Sequence, residues 1–520
     1  MKKLLSIILA AILIFTMAAC TPSEEEPSDK TAEPTVKPVE TTEPVEEDPI
    51  LTGEKPELNI LTWYTPYNME EQPPYNVVEE ITGYKINWFN LPLENSDDKL
   101  MLEVSGGSSY DLLMRINSQP ANQLQVQNAL MDIKLMLEKY GNNILSAVSD
   151  MALDSVTTED GMIYGIPHEA FSGTGYGVMR GGIGFNTKYL DDLGMELPTN
   201  LDDFYTVLKA YTNKTDKPAL TTVATGWVSY IMAGFGMGDA GWYEVDGEYL
   251  PRIKHPAMVD YLAFIQKLYK ENLLDNDMPI NTGATAIEKL TNGTVLAYPI
   301  MFWDIDSIYQ AFDAVGMDAK IEVATHLAKD AETDPVIYVA QGVSYLTLVP
   351  KTAKNPEHAV NWFNTISDND NFKEIYIGEE GVAHEVKDGA YYPLFPTFND
   401  YNHADMYVGV NDAENAFQMW QARARKTDAM AEMYEQMNAR ADEYKVISYY
   451  EPYAASLEAV RNNQSALNTM VNDKLIQAIA SGEDAQTVVD DIIEEWENTG
   501  GLDYETAMKE WYAANKDLFD

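Results

Sequence analysis

The chain has 520 residues, with 83 Asp and Glu against 35 Lys and Arg, a formal net charge of −48. So large a carboxylate excess excludes a nucleic-acid binder and a basic membrane-surface protein, because both depend on Lys and Arg. Hydrophobic residues make up 45% of the chain and aromatics 11%, enough to bury a core, so intrinsic disorder of the whole is excluded too. The length fits about three domain-sized units or one large two-lobed α/β body.

At the N-terminus, Met1-Lys2-Lys3 precedes an apolar stretch from Leu4 to Ala19, broken only by Ser6 and Thr16. This is the layout of a secretory signal, and it is short for a membrane span. The stretch ends Met17-Ala18-Ala19-Cys20, which resembles a bacterial lipobox with Met17 where Leu is usual. Cys20 is the only cysteine, so the chain has no internal disulfide, and lipidation of Cys20 is expected. A diacylglyceryl group supplies the two acyl chains that stable anchoring needs. Thr21 to Ile50 holds six Pro, eight Glu and two Asp, with no aromatic. Such a segment cannot bury apolar surface. Residues 1–19 therefore read as a signal peptide, and residues 20–56 as a lipidated cysteine with a disordered acidic tether. At full polyproline extension the tether reaches roughly 110 Å.

From Glu57 the pattern becomes that of a folded body. Leu58 to Tyr64 reads as a strand ended by Thr65-Pro66. A helix around Val77 to Ile81 is capped by Gly83. Lys85 to Leu91 reads as a strand, Asp97 to Val104 as a helix, and Tyr110 to Ile116 as a third strand. Leu124 to Tyr140 reads as one long helix stopped at Gly141. This alternation implies a largely parallel sheet with helices on both faces. It resumes from Ile183, with helices at Asp202–Tyr211, Val259–Tyr269 and Ile308–Val315 and strands at Leu220–Ala224 and Val295–Pro299. The last third reads as helical. Val360, Phe363 and Ile366 share one face, Met430, Met433 and Met437 another, and a stripe from Val488 to Trp496 stops at Gly500-Gly501.

Enzyme signatures are missing from the sequence. The six histidines (168, 255, 326, 358, 384 and 403) form no tight ligand spacing. There is no G-x-S-x-G elbow and no phosphate-binding loop. His168-Glu169 and His384-Glu385 are neighbours, which point to opposite faces in a strand. Paired carboxylates for glycoside chemistry carry no weight among 83 acids. No metal and no cofactor are expected. The aromatics are more informative. Trp63, Tyr64 and Tyr67 follow the first strand, Trp227 follows Thr225-Gly226, Trp242 lies in a Gly-rich loop, and Trp303-Asp304 follows the strand ending near Ile300. In open α/β sheets ligands bind outside the carboxyl ends of strands. Aromatic faces there suit the C–H faces of sugars. The pattern leaves open whether each is ligand surface or core, while Trp88, Trp362, Trp496 and Trp511 sit where core residues belong.

Four stretches, in order, resemble the extracellular solute-binding lipoproteins of bacterial ABC importers, family 1, the carbohydrate type. They are Gly161-Met162-Ile163-Tyr164-Gly165-Ile166-Pro167; the run from Gly184 to Thr199, with Phe185 where Tyr is usual; Asn292-Gly293-Thr294-Val295-Leu296-Ala297-Tyr298; and Val349-Pro350-Lys351-Thr352-Ala353-Lys354-Asn355-Pro356-Glu357-His358-Ala359. The length and helical C-terminus are similar to the large oligosaccharide-binding subgroup. Some of its members hold calcium in an acidic loop, but Thr212 to Pro218 has one acid and no Gly here. The resemblance implies a two-lobed α/β, type II periplasmic-binding-protein-like fold with a hinge of crossing strands near Pro167–Ile183 and Gln341–Leu348. It assigns residues 57–180 plus 341–400 to lobe 1 and 181–340 plus 401–520 to lobe 2. It implies a carbohydrate or oligosaccharide held between the lobes, delivery to ABC permease subunits, a monomer, and no catalysis. Trp63, Tyr64, Tyr67, Trp227, Trp242 and Trp303 are then the candidate stacking surfaces. Asp111, His168, Glu169, Arg180 and Asp304 are the candidate polar contacts. Rival readings are a peptide or other polar solute, or a surface glycoside-active enzyme. Thr21 to Ile50 carries −8 and Lys2 and Lys3 add +2, so residues 51–520 carry −42 of the total −48. Long-range steering then favours neutral or cationic ligands over uronates or phosphates, unless a local Arg such as Arg180 overrules it.

Overall fold

The computed structural model describes residues 48–170, 178–387 and 389–519. The signal peptide, Cys20 and most of the tether lie outside these residues, as does part of the first expected crossing. Order begins earlier than the composition predicts. Asp48 caps a short helix, Pro49–Thr52, and pairs with Lys139 at 2.7 Å. Ile50 packs against the first core.

That core surrounds a five-stranded sheet in the order Ile86–Asn90, Leu58–Thr62, Leu112–Asn117, Val343–Leu348, Ile166–Glu169. The first three strands are parallel, and Val343–Leu348 runs antiparallel to both its neighbours. The motif stretches are packing devices here. Tyr164 is fully buried and donates to Asn122 at 3.0 Å. A Cβ on Gly165 would come within 2.8 Å of Leu348. Asp111, 1% exposed, accepts backbone N–H groups from Asn59, Lys354 and Asn355 at 2.9, 3.1 and 2.8 Å. It thereby seats the start of the Pro356–Thr365 helix.

The second lobe differs from the expected parallel pattern. Its sheet places Gly181–Asn186 between Ala297–Met301 and Ile321–Ala324, antiparallel to both. The connections between these strands are long and helical, so they impose no common direction. Leu220–Ala224 forms no strand. Leu220 makes only single bridges, to Leu274 and Ala297, and Thr221 turns its hydroxyl to the buried Asp275 at 2.8 Å. The long helix expected over Leu124–Tyr140 is two, Ser118–Val126 and Lys134–Tyr140. Between them Asn128 is left-handed (φ 55°), and Met131 and Ile133 give their N–H groups to Val349 and Ile163 instead of to a helix.

The C-terminal region is helical. Met430, Met433 and Met437 are core residues. The helix Ala485–Trp496 does not end the structure at Gly500-Gly501, because a further helix, Leu502–Asn515, follows a kink at Thr499 and Gly500. Residues 401–422 pack differently from the expected division. Met406, Tyr407, Val408, Val410, Ala416, Met419 and Ala422 join the first core, and Ala424 and Met430 a core of the second lobe. One passage between cores thus falls near Arg423. Another lies at Gly342, between Val336–Ala340, which pairs with Lys445–Tyr449, and Val343–Leu348.

Candidate ligand-binding cleft

A cavity of about 570 Å³ opens where the first core meets the second lobe. This is within the usual size of small-molecule sites. Aromatic rings form its walls. Trp63, just past the first strand, meets Tyr345 of the Val343–Leu348 strand edge-on at 4.5 Å. Trp303, also in the lining, is 47% exposed and rests against the buried Phe302 at 5.0 Å. Phe302 in turn meets Trp420 of the Ala413–Ala424 helix at 5.6 Å.

The polar lining is unusually cationic for so acidic a chain. Arg115 lies inside the third strand at a left-handed φ of 59°, and its Nε is buried without a hydrogen-bond partner. Arg180 lies over the Trp420 ring at 4.7 Å, a cation–π arrangement. Burial lowers its affinity for a proton. Arg423 is fully engaged. It donates to the carbonyls of Tyr376, Tyr401 and Asn402 at 3.2, 2.6 and 3.0 Å and to Asp405 at 2.7 Å. Burial works to raise the Asp405 carboxyl, but Arg423, Lys426 and Arg115 overcome it and hold the group ionised. Burial, then Arg423, lowers Lys426. Both side-chain polar atoms of Asn411 are buried in the lining without partners. Such orphans are rare in folded proteins.

His168 and Glu169 divide as strand neighbours should. His168 Nε2 meets Thr347 Oγ1 at 2.8 Å, and burial together with Arg115 pushes its pKa well below 6.5, so the ring is neutral. Glu169 accepts from Ser149 N at 2.8 Å, Ser149 Oγ at 2.7 Å and Tyr453 Oη at 2.8 Å. Among the described residues no group of three or more His, Cys, Asp or Glu is arranged to hold a metal ion.

Of the sequence candidates, Trp63, His168, Glu169, Arg180 and Trp303 come together in this cleft. The others do not line it. Tyr64 is 44% exposed beside Trp63, and Tyr67 stacks on His403 at 3.8 Å. Asp304 accepts the Met301 N–H at 2.8 Å and starts a helix. Asp111 serves the backbone as described. Trp242 is 3% exposed, stacked on Tyr249 at 5.5 Å and bonded through Nε1 to Tyr504. Trp227 borders a separate pocket, beneath Arg252 at 3.9 Å. Sequence reasoning missed Arg115, Tyr345, Asp405, Asn411, Trp420, Arg423 and Lys426. Arg115 stands two residues before the carboxyl end of a central strand, which was a usable signal. Arg423-Ala424-Arg425-Lys426 is a cationic run in an acidic chain, which was another.

Residues 75–383 match the family described as bacterial extracellular solute-binding protein. Lipoprotein LipO of Bacillus subtilis is 22% identical over 536 residues, covering 99% of each chain. The alginate-binding protein AlgQ2 shares the fold, with a TM-score of 0.66 at 16% identity over 88% of this chain and 98% of that one. So does the Streptococcus pneumoniae substrate-binding protein FusA in complex with kestose, with a TM-score of 0.60 at 17% identity over 89% and 100%. The matched segment is more than half of the chain, and the two-lobed frame around the cleft is the one these proteins share: this chain belongs to the bacterial extracellular solute-binding protein family.

Proposed function

We propose that the protein captures an oligosaccharide in the cleft and delivers it, unaltered, to the permease subunits of an ABC importer. It acts as a monomer outside the cytoplasm, held to the membrane by lipid on Cys20 and given reach by its acidic tether. One observation carries this reading: three indoles, Trp63, Trp303 and Trp420, line one cavity beside polar atoms of Asn411 and Arg115 that lack partners. Rings of this kind cover the apolar faces of sugars, and the orphaned groups match sugar hydroxyls. The names of fold relatives lend support, since one is an alginate-binding protein and another is in complex with kestose. Calorimetric titration of a glycan panel tests the reading. Binding with the glycan recovered intact supports it, and chromatographic detection of cleaved glycan overturns it.

A further inference from the structure

The second lobe holds another cavity, of about 430 Å³, which shares no lining residue with the cleft. It too has the size of a small-molecule site. The helix Glu458–Ser481 forms one side, with Gln464, Asn468 and Asn472 one turn apart on a single face. Trp227, Arg252 and Glu451 come from distant parts of the chain to complete it. Two of these groups are left over by the fold. Glu451 accepts the Gly241 N–H at 2.8 Å with one carboxyl oxygen, and its other oxygen is buried without a hydrogen-bond partner. The Arg252 guanidinium lies over the Trp227 ring at 3.9 Å, and among the described residues it makes no hydrogen bond and no ion pair. The same glycine ties both residues down, because the Arg252 N–H donates to the Gly241 carbonyl at 2.7 Å. Opposite charges thus line one cavity side by side without meeting each other. Leaving both unpaired in a partly desolvated site is costly unless something offsets them.

The rest of the lining narrows the occupant. Asp239, which accepts from the Ser229 hydroxyl, and Asp473 add two further carboxylates. An inorganic anion drawn to Arg252 therefore meets three acids, and a plain cation drawn to the acids meets Arg252. A molecule that carries both charges a short distance apart satisfies both ends. We infer that this pocket binds a free α-amino acid, with its carboxylate in the Arg252 fork and its ammonium at the Glu451 carboxyl. Planar guanidinium forks suit carboxylates, in one-point or bidentate contact. An ammonium brings three donors, where the second Glu451 oxygen has none. The Trp227 ring holds the guanidinium from one side and leaves its N–H edge for the ligand.

The test is calorimetric titration of the full folded chain with the common L-amino acids. Each one that binds is compared with its N-acetyl form and its C-terminal amide, which each lack one of the two charges. At least one amino acid should bind about tenfold or more tighter than either blocked form. Arg252→Gln should bring that amino acid and its amide within about threefold of each other, and Glu451→Gln should do the same for the amino acid and its N-acetyl form. If Arg252→Gln lowers the melting temperature, Arg252→Lys, which keeps the charge without the fork, should still lose part of the preference for the free carboxylate. Trp303→Ala, in the other cavity, should leave amino-acid affinity unchanged. No amino acid binding at millimolar concentration, blocked forms binding as tightly as free ones, or loss of amino-acid binding in Trp303→Ala each overturn the inference. Glycan capture in the cleft stands or falls separately.

Discussion

Trp303 and Trp242 are chemically the same residue in opposite situations. Trp303 presents half its indole to the cleft, whereas Trp242 is walled in by Tyr249 and Tyr504. Trp303→Ala should therefore weaken glycan binding at least tenfold, about 1.4 kcal/mol, with the melting temperature unchanged. Trp242→Ala should do the reverse. It removes a core side chain and should cost about 3–5 kcal/mol of stability, read by urea denaturation, while the folded fraction binds normally. A third side chain sets a pH dependence. Burial lifts the Glu451 carboxyl from 4.5 to about 7, only partly opposed by the Gly241 N–H and Arg252. One oxygen accepts from Gly241 at 2.8 Å, and the other is buried without a partner. The folded state thus keeps a proton that the unfolded chain releases above about pH 4.5. Stability falls as pH rises from there through about 7. Glu451→Gln should flatten that slope, raising the melting temperature at pH 8 and leaving it nearly unchanged at pH 4.

Among the elements, those with their own punctuation were readable in advance. Gly83 (φ 70°) ends the Pro73–Thr82 helix as its position suggested, and Leu58–Thr62 follows the β-rich run. The misread elements are those decided by distant partners. Leu124–Tyr140 has helical periodicity, but its middle is claimed by backbone from Val349 and Ile163. Leu220–Ala224 looks like a strand, but its Thr221 serves a buried network around Asp275. The cleft follows the same division. Trp63 and Trp303 were legible because they follow strands. Asn411 was not, because only folding brings the chain near 400–430 against strands formed hundreds of residues earlier. The helix break offers a local test. Asn128 adopts φ 55° and accepts a hydrogen bond from Lys351. Asn128→Val should cost about 1–2 kcal/mol, and Asn128→Gly much less, as measured by thermal unfolding.

At the scale of the molecule, the connections between lobes are few and fixed by specific contacts. Gly342 sits at φ 117°, where an added Cβ would meet Pro452 and Tyr453 at 3.1 Å. Tyr453 in turn holds Glu169 in the cleft wall. Across the lobes, Gln119 and Gln123 both donate to Ser465, at 2.7 and 2.8 Å. Hinged capture of a ligand closes such a frame. Small-angle scattering should show a smaller radius of gyration with saturating glycan, and Gly342→Ala should reduce that change. The cationic cavity inside an acidic shell has a last consequence, and it concerns time. A charged glycan would feel the shell on approach and the guanidiniums once seated, and salt weakens both effects, whereas a neutral one feels neither. Stopped-flow tryptophan fluorescence with a neutral glycan should therefore show association and dissociation rates unchanged as NaCl is added, a gate that salt does not set.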